Sequence, residues 1–285
     1  MFVPEGKHVF LFLGGPIMNR ILFYGAGSIA EAIIHGLAQK SFIRNEHIFV
    51  TNKQNKEKIE SLHTTYGVTP VENLQDAVKQ SDLIILAMKP KDVAEALEAI
   101  QTAIQPHTPI LSIVAGYSMA SIANIVQDRP LIRMMPNTSA QIGQSTTGVA
   151  FNNAVSTIVK KEIMMLLQTF GTVVEVDEDQ LHAVTALSGS GPAYFYYVVE
   201  AMKEAGLAHG LSNDIVDQLI VETMAGAAEM LKTVDEEPDV LRKKITSPGG
   251  TTAAGIDALQ QFNVKQAFIN CVHAAEKKSR DLANS

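Results

Sequence analysis

The chain has 285 residues, of which 46% are hydrophobic and 19% charged, and its formal net charge is −7. This length fits one large domain or two modest ones, and the composition excludes a disordered chain. The acidic balance argues against nucleic acid and anionic membranes as partners. The single cysteine, Cys271, excludes an intramolecular disulfide and a cysteine metal cluster, and it is typical of a cytoplasmic protein.

The chain opens with a short apolar segment at residues 9–13. This segment is too short for a membrane span or for the apolar region of a signal peptide. Met18 stands just before the first predicted strand, so both Met1 and Met18 fit a start of translation. We expect residues 1–18 to be an N-terminal extension with no functional role.

Apolar runs and helical patterns alternate in the first part of the chain. Helices are predicted at 28–39 and at about 156–170 from apolar residues at helical spacing. Strands are predicted at 21–24, 47–51, 82–88, 109–114, 131–135, 147–151 and 172–176. The alternation predicts an α/β, Rossmann-like, doubly wound parallel sheet over residues 19–177.

From residue 178 to the end the pattern is purely helical. Ser212 is a suitable N-cap for the longest helix, which carries small residues at 225–228 that permit close helix approach. The predicted helices are 181–187, 192–208, 212–233, 240–245, 252–260 and 265–283. We therefore expect an all-α second domain over residues 178–285.

A glycine motif directly follows the first strand and opens the first helix. Gly25 allows a tight turn, Gly27 lets the backbone approach a pyrophosphate, and Ala30 keeps the helix close to the sheet. The helix N-terminus favours the anion. The motif predicts a dinucleotide site, rather than a glycine turn without a ligand, formed by Gly25, Ala26, Gly27, Ser28, Ile29 and Ala30.

The end of the second strand bears on the choice between NAD and NADP. An NAD enzyme usually places a carboxylate there to hold the ribose 2′-hydroxyl, whereas this chain has no carboxylate before Glu57. Asn52 can donate hydrogen bonds, and Lys53 or Lys56 can neutralise a 2′-phosphate. The segment favours NADPH, with NADH as a weaker alternative, although lysines that merely decorate a solvated helix start are equally compatible.

Three further loops follow strands at the edge where open α/β sheets bind ligands. We expect them to surround the nicotinamide end of the cofactor. Their residues are Ala87, Met88, Lys89 and Pro90, then Ala115 and Gly116, and then Pro136 and Asn137.

Two loops stand out in the helical half, at residues 187–194 and 247–252. The second ends at a predicted helix start, so glycine N–H groups and hydroxyls meet at a positive dipole end, which favours a carboxylate. Ordinary capping by Ser and Thr is the alternative, but the two glycines and two threonines exceed what a cap needs and favour a binding role. Neither a metal-ligand cluster nor the catalytic base of a hydroxyacid dehydrogenase is recognisable in the sequence, which suits an electrophilic substrate such as a protonated imine.

The chain from about Asn19 resembles the pyrroline-5-carboxylate reductase family. The motifs that carry the resemblance are 25–30, 88–90, 133–138, 187–194 and 247–252. The resemblance implies hydride transfer from NADPH to the imine carbon of L-1-pyrroline-5-carboxylate, which yields L-proline. It also implies a helical dimerisation domain, homodimers that often assemble into decamers, and a site between one subunit's nucleotide domain and its mate's helices.

By the same resemblance, one loop cradles the substrate and Thr252 hydrogen-bonds the ring nitrogen as the catalytic residue. The substrate-binding residues would be Ser247, Gly249, Gly250, Thr251 and Thr252. Asn52 would lie near the 2′-phosphate, and Pro136 and Asn137 near the nicotinamide. The chain departs from the family pattern at Ser139, Gln144, Ser145 and Met88, which leaves the effect of these residues on activity open.

The sequence is compatible with three other functions. The first is reduction of a related cyclic imine or of another small keto or imino acid. The second is a non-catalytic NADP-binding regulator, which would not need the 247–252 loop. The third is a deazaflavin-linked oxidoreductase, which shares the nucleotide half and should lack the two loops of the helical half.

Overall fold

The computed structural model of the chain describes residues 18–53 and 55–283. The predicted extension at 1–18 lies outside the described residues except for its last residue. That residue, Met18, is buried against the hydrophobic core of the first unit described below.

An eight-stranded sheet forms the centre of the first unit. The strands are β1 Ile21–Tyr24, β2 Ile48–Thr51, β3 Thr69–Pro70, β4 Leu83–Leu86, β5 Ile110–Ser112, β6 Leu131–Met135, β7 Ser145–Phe151 and β8 Gly171–Glu175. Their order is β3-β2-β1-β4-β5-β6-β7-β8, and the first six are parallel. This is the strand order of dinucleotide-binding folds, so the predicted Rossmann-like fold is confirmed. The two-residue β3 escaped prediction because it is too short to show a period.

The sheet is not parallel throughout, which corrects one expectation. Strand β7 runs antiparallel to β6, with Met135 paired to Gly148, whereas β8 is parallel to β7. Only nine residues separate Met135 from Ser145, and the helical structure among them is a short 3₁₀ segment, Thr138–Ile142. A parallel return needs a crossover of a dozen or more residues, so the short connection reverses the chain direction.

Helices cover both faces of this sheet. They are α1 Ser28–Gln39, α2 Lys56–Tyr66, α3 Leu74–Gln80, α4 Val93–Ile100, α5 Met119–Val126, α6 Thr157–Leu167 and α7 Leu181–Val184. Alternate residues of each strand point to opposite faces, so Phe23 and Ile85 belong to one buried cluster and Leu22 and Ile84 to the other. The strand ends, and the loops that follow them, are thereby held in fixed positions.

The second compact unit comprises Ser190–Lys277, and the residues from Lys278 onward belong to the first unit. This division lies near the predicted boundary at 177/178 without coinciding with it. The helices are α8 Gly191–Ala208, α9 Asn213–Thr233, α10 Pro238–Lys244, α11 Thr251–Gln261 and α12 Val264–Ala283, of which α12 ends in the first unit. Within the second unit, α8 lies close to α9 at Gly206, where a Cβ would be 2.9 Å from the Val216 side chain. The absence of a side chain on Gly206 permits this approach.

The predicted helix at 181–187 and the loop at 187–194 need correction. Helix α7 ends at Val184, a π-helical segment runs over Thr185–Gly189, and α8 starts at Gly191. The glycine- and serine-rich string indicated a loop, but Pro192 lies in the first turn of α8, where its missing N–H is tolerated. The motif is therefore a junction between helices.

Candidate active site

The glycine turn after β1 brings three strand ends together. Gly25 has φ +114°, and a Cβ there would lie 2.3 Å from the carbonyl oxygen of Ala87, which follows β4. Its N–H donates a hydrogen bond to the carbonyl of Thr51, the last residue of β2, at 2.9 Å. Only glycine combines this φ with so close an approach. The turn is thus fixed by backbone contacts to both neighbouring strands.

Gly27 plays a different part. It is the N-cap of α1 with extended backbone (φ −74°, ψ 179°), and no side chain caps the helix. A Cβ built on Gly27 meets no atom of the protein within 4 Å. The protein's own packing therefore does not require glycine here, whereas a ligand approaching the N–H groups of α1 would need the space. Ala30, fully buried, keeps α1 against the sheet.

These elements border a cleft of about 700 Å³ at the carboxyl ends of β1, β2 and β4. Its dimensions and the open helix start fit an extended dinucleotide. The predicted residues that line the cleft are Gly25, Ala26, Gly27, Ser28, Ile29, Ala30, Asn52, Lys53, Ala87, Met88 and Lys89. Residues that prediction did not include are Tyr24, Thr51, Leu74, Lys91, Asp92, Glu95, Ala96, Ala99 and Ile113.

Lys53 is paired within this cleft. Its ammonium donates hydrogen bonds of 2.8 and 2.7 Å to the two carboxylate oxygens of Glu95, in the first turn of α4. This hydrogen bond raises the pKa of Lys53, and the charges of Glu95 and Asp92 add to the effect. Burial raises the pKa of the nearby Tyr24 hydroxyl; Glu95 raises it further, whereas Lys53 lowers it.

Glu95 is the cleft residue of greatest chemical consequence that sequence reasoning missed. Cofactor specificity is usually set by a residue just after β2, whereas this carboxylate comes from α4, 42 residues beyond Lys53. Its only sequence signal was the acidic pair Asp92 and Glu95 in the loop and first helical turn after β4. That spacing is ordinary at helix starts, so the pair did not stand out.

The remaining predicted cofactor residues do not line this cleft. They are Pro90, Ala115, Gly116, Pro136 and Asn137. Gly116 has φ +72°, and a Cβ there would lie 3.0 Å from the carbonyl oxygen of Leu282, near the end of α12. The end of α12 thus packs against the turn after β5. The roles predicted for these five residues stay predictions.

Asn137 forms one hydrogen-bonded group with three of the four departures from the family pattern, Ser139, Gln144 and Ser145. The Asn137 carboxamide accepts from the N–H of Ser139 at 3.1 Å and donates to the Ser188 hydroxyl at 3.3 Å. Its own N–H donates to the buried hydroxyl of Ser145, which also bonds Thr147. A proline at position 139 would lack the N–H that Asn137 accepts. Ser139 and Ser145 therefore serve this local network, and the N–H of Gln144 closes it onto the carbonyl of Ser139.

The predicted substrate loop forms a tight turn at the start of α11. The N–H of Gly250 donates to the carbonyl of Ser247 at 3.0 Å, and Gly249 between them has φ +70°. Proline followed by a glycine of positive φ is the pattern of a type II turn. Gly250 is the N-cap of α11, has extended backbone and leaves the helix start without a side-chain cap. The N–H groups of Thr251 and Thr252 thus open a helix whose start favours an anion.

Among residues 18–53 and 55–283, no group of His, Cys, Asp and Glu side chains is arranged to hold a metal ion. Within the same part of the chain, no helix is long and apolar enough to cross a membrane.

Comparison with known proteins decides the family. A family model described as "Pyrroline-5-carboxylate reductase dimerisation" matches residues 178–282, and one described as "NADP oxidoreductase coenzyme F420-dependent" matches residues 20–116. Pyrroline-5-carboxylate reductase 2 of Bacillus subtilis is 42% identical over 269 residues, which cover 93% of this chain and 95% of that protein. This chain belongs to the pyrroline-5-carboxylate reductase family.

Other members of the family match this chain over nearly its whole length. The pyrroline-5-carboxylate reductase of Staphylococcus haemolyticus is 37% identical, with 93% of this chain and 98% of that protein covered. The structure of the Coxiella burnetii enzyme superposes with a TM-score of 0.87 at 29% identity, covering 94% of this chain and all of that one. The Plasmodium falciparum enzyme, solved with NADP bound, gives 0.84 at 28% identity with the same coverage.

Membership confirms the predicted activity and enzyme class. The reductase is an oxidoreductase that uses NAD(P)H to convert pyrroline-5-carboxylate to proline, the last step of proline biosynthesis. The deazaflavin-linked alternative rested on the nucleotide half alone. The match of the helical half to the reductase family decides against it.

Proposed function

We propose that this reductase prefers NADPH over NADH and holds it in the cleft at the glycine turn. The observation that carries the proposal is the open start of α1 at Gly27 beside Asn52 and Lys53. The backbone N–H groups of Ser28, Ile29 and Ala30 would hold the pyrophosphate, and Asn52 and Lys53 the 2′-phosphate. When bound, NADPH supplies the hydride that reduces the ring C=N bond.

We further propose that the start of α11 holds the substrate carboxylate. The N–H groups at the helix start and the Ser247 hydroxyl would bind the carboxylate, with Gly249 and Gly250 shaping the turn. The Thr252 hydroxyl would orient the ring nitrogen and is too weak an acid to drive the reaction alone. Holding the reacting carbons in near-attack geometry contributes roughly 7–11 kcal/mol in favourable cases. Alignment and electrostatic stabilisation would therefore be the enzyme's main contributions to catalysis.

We infer a homodimer through the second unit, which exposes large apolar side chains such as Tyr197 and Val221, and a cytoplasmic location from the single cysteine. Five such dimers would form a decamer. We infer neither nucleic acid nor a membrane as a partner.

The test is NADPH oxidation by the purified protein with L-1-pyrroline-5-carboxylate, repeated with NADH and with six-membered cyclic imines and keto acids. We expect the highest kcat/KM with NADPH and the five-membered ring. Faster turnover of another imine would show that this imine, and not L-1-pyrroline-5-carboxylate, is the preferred substrate. Equal or better use of NADH would refute the stated preference.

A further inference from the structure

The carboxylate of Glu95 contacts Lys53, the lysine proposed to bind the 2′-phosphate. Both of its oxygens are within 2.8 Å of the Lys53 ammonium, and both side chains line the cleft. The pair is exposed, with 59% of the Lys53 side chain and 69% of that of Glu95 accessible to solvent. An exposed ion pair is weak and exchanges readily with other partners. The pair can therefore open when a stronger anion arrives.

We propose that Glu95 is a specificity-determining residue that competes with the cofactor 2′-phosphate for Lys53 and thereby narrows the preference for NADPH over NADH. The inference rests on the proposed cofactor site. Because the cofactor with a 2′-hydroxyl places no anion beside Lys53, it leaves the pair intact. The carboxylate therefore opposes only the phosphorylated cofactor.

Charge balance in the cleft supports this competition. A phosphate monoester carries close to two negative charges at neutral pH, whereas Lys53 supplies one positive charge that Glu95 already neutralises. Asp92 lines the same cleft and adds a second negative charge near Lys53. Lys89 and Lys91 bring compensating charges from the loop after β4. Removing the carboxylate of Glu95 frees one cation for the phosphate.

Calorimetric titration of NADP⁺ and NAD⁺ into the full-length protein tests the proposal without relying on turnover. We expect Glu95→Gln to tighten NADP⁺ binding about threefold, the size typical of an exposed pair, and to leave NAD⁺ binding unchanged. Glu98→Gln is the matched control, because it removes the same charge from the next turn of α4, outside the cleft lining. It should change neither affinity.

A double-variant cycle shows whether Glu95 acts through Lys53. In the Lys53→Gln background, adding Glu95→Gln should tighten NADP⁺ binding by a much smaller factor. An equal gain in both backgrounds, an equal gain for NAD⁺, or no gain beyond that of Glu98→Gln would overturn the competition. Failure of the wild-type protein to bind NADP⁺ would instead overturn the cofactor site, and this inference with it.

Discussion

At the scale of single residues, two glycines of one turn have separable physical roles. Gly25 is required by the fold, because its φ and its approach to Ala87 leave no room for a Cβ. Gly27 faces open space and has a backbone conformation that other residues adopt. If a cofactor occupies that space, Gly27 is required for binding and not for folding, whereas Gly25 is required for folding. This difference can be measured.

We expect Gly25→Ala and Gly27→Ala to fail in different ways. Gly25→Ala combines positive-φ strain with overlap against backbone and should lower the free energy of unfolding by about 3 kcal/mol or more. Gly27→Ala should keep a melting temperature near that of the wild type while weakening NADP⁺ binding about tenfold or more, since its methyl group would occupy the pyrophosphate space. Thermal unfolding followed by circular dichroism, with NADP⁺ titration, distinguishes the two. An intact affinity in Gly27→Ala would contradict the cofactor assignment.

Thr252 at the start of α11 allows a second residue-scale prediction. Thr252→Ala should lower kcat about tenfold or more, by analogy with the loss of a general acid–base or orienting group, and leave NADPH affinity nearly unchanged. Thr252→Ser keeps the hydroxyl and should recover most of the activity. Thr246→Ala is a suitable control, since that hydroxyl bonds the carbonyl of Arg242 within the preceding helix. Equal losses of turnover and cofactor affinity in Thr252→Ala would refute the role.

At the scale of elements, a partly buried ion pair joins the sheet to a helix start. Arg133 in β6 keeps only 6% of its side chain exposed and donates to Glu178 at 2.8 Å. The same carboxylate oxygen accepts the N–H of Met119 at the start of α5, at 2.7 Å. Glu178 therefore both neutralises a buried guanidinium and caps a helix.

Removing Glu178 should destabilise the fold by leaving Arg133 uncompensated. We expect Glu178→Ala to lower the free energy of unfolding by about 2–3 kcal/mol, below the loss for a fully buried pair because Glu178 is 31% exposed. Glu178→Gln keeps an acceptor for both donors and should lose less. Urea unfolding at one fixed protein concentration measures both variants. If both variants were as stable as the wild type, the ion pair and the cap would contribute little.

At the scale of the whole molecule, the second unit exposes an apolar surface that a lone domain would bury. Its described hydrophobic residues are mostly accessible, and Val216 and Ile220 are its buried ones. The large exposed ones include Phe195, Tyr196, Tyr197, Met202, Leu219, Val221, Met230 and Leu231. A patch of this extent marks an interface, in agreement with the dimerisation family that the sequence matches.

Charges placed on this surface should dissociate the proposed homodimer. Tyr197 is 74% exposed and Val221 58%. Substituting either residue by Glu should raise the dimer dissociation constant by about 30-fold, the effect of losing one central contact. Glu222→Gln, on the same helix as Val221, is the control and should remain dimeric. Sedimentation velocity over a concentration series provides the measurement; an unchanged distribution for both Glu variants would place the interface elsewhere.

Much of this protein followed from local sequence alone. Apolar spacing located α1 at its observed bounds and most helices of the second half to within two residues, because side-chain periodicity reports directly on which face is buried. The glycine turn identified a dinucleotide site, since its strand and helix context restricts its meaning. The 247–252 loop, through family resemblance, pointed to the substrate.

Only the tertiary structure decided which distant groups meet. It brought Glu95 onto Lys53, packed the end of α12 against Gly116, and reversed β7 against β6. Local periodicity contains no information on such contacts, because they depend on strand order and on how far a short connection reaches. The sequence by itself thus determined a dinucleotide-binding reductase, and the fold decided that a carboxylate from α4 lies beside the lysine proposed to select its cofactor.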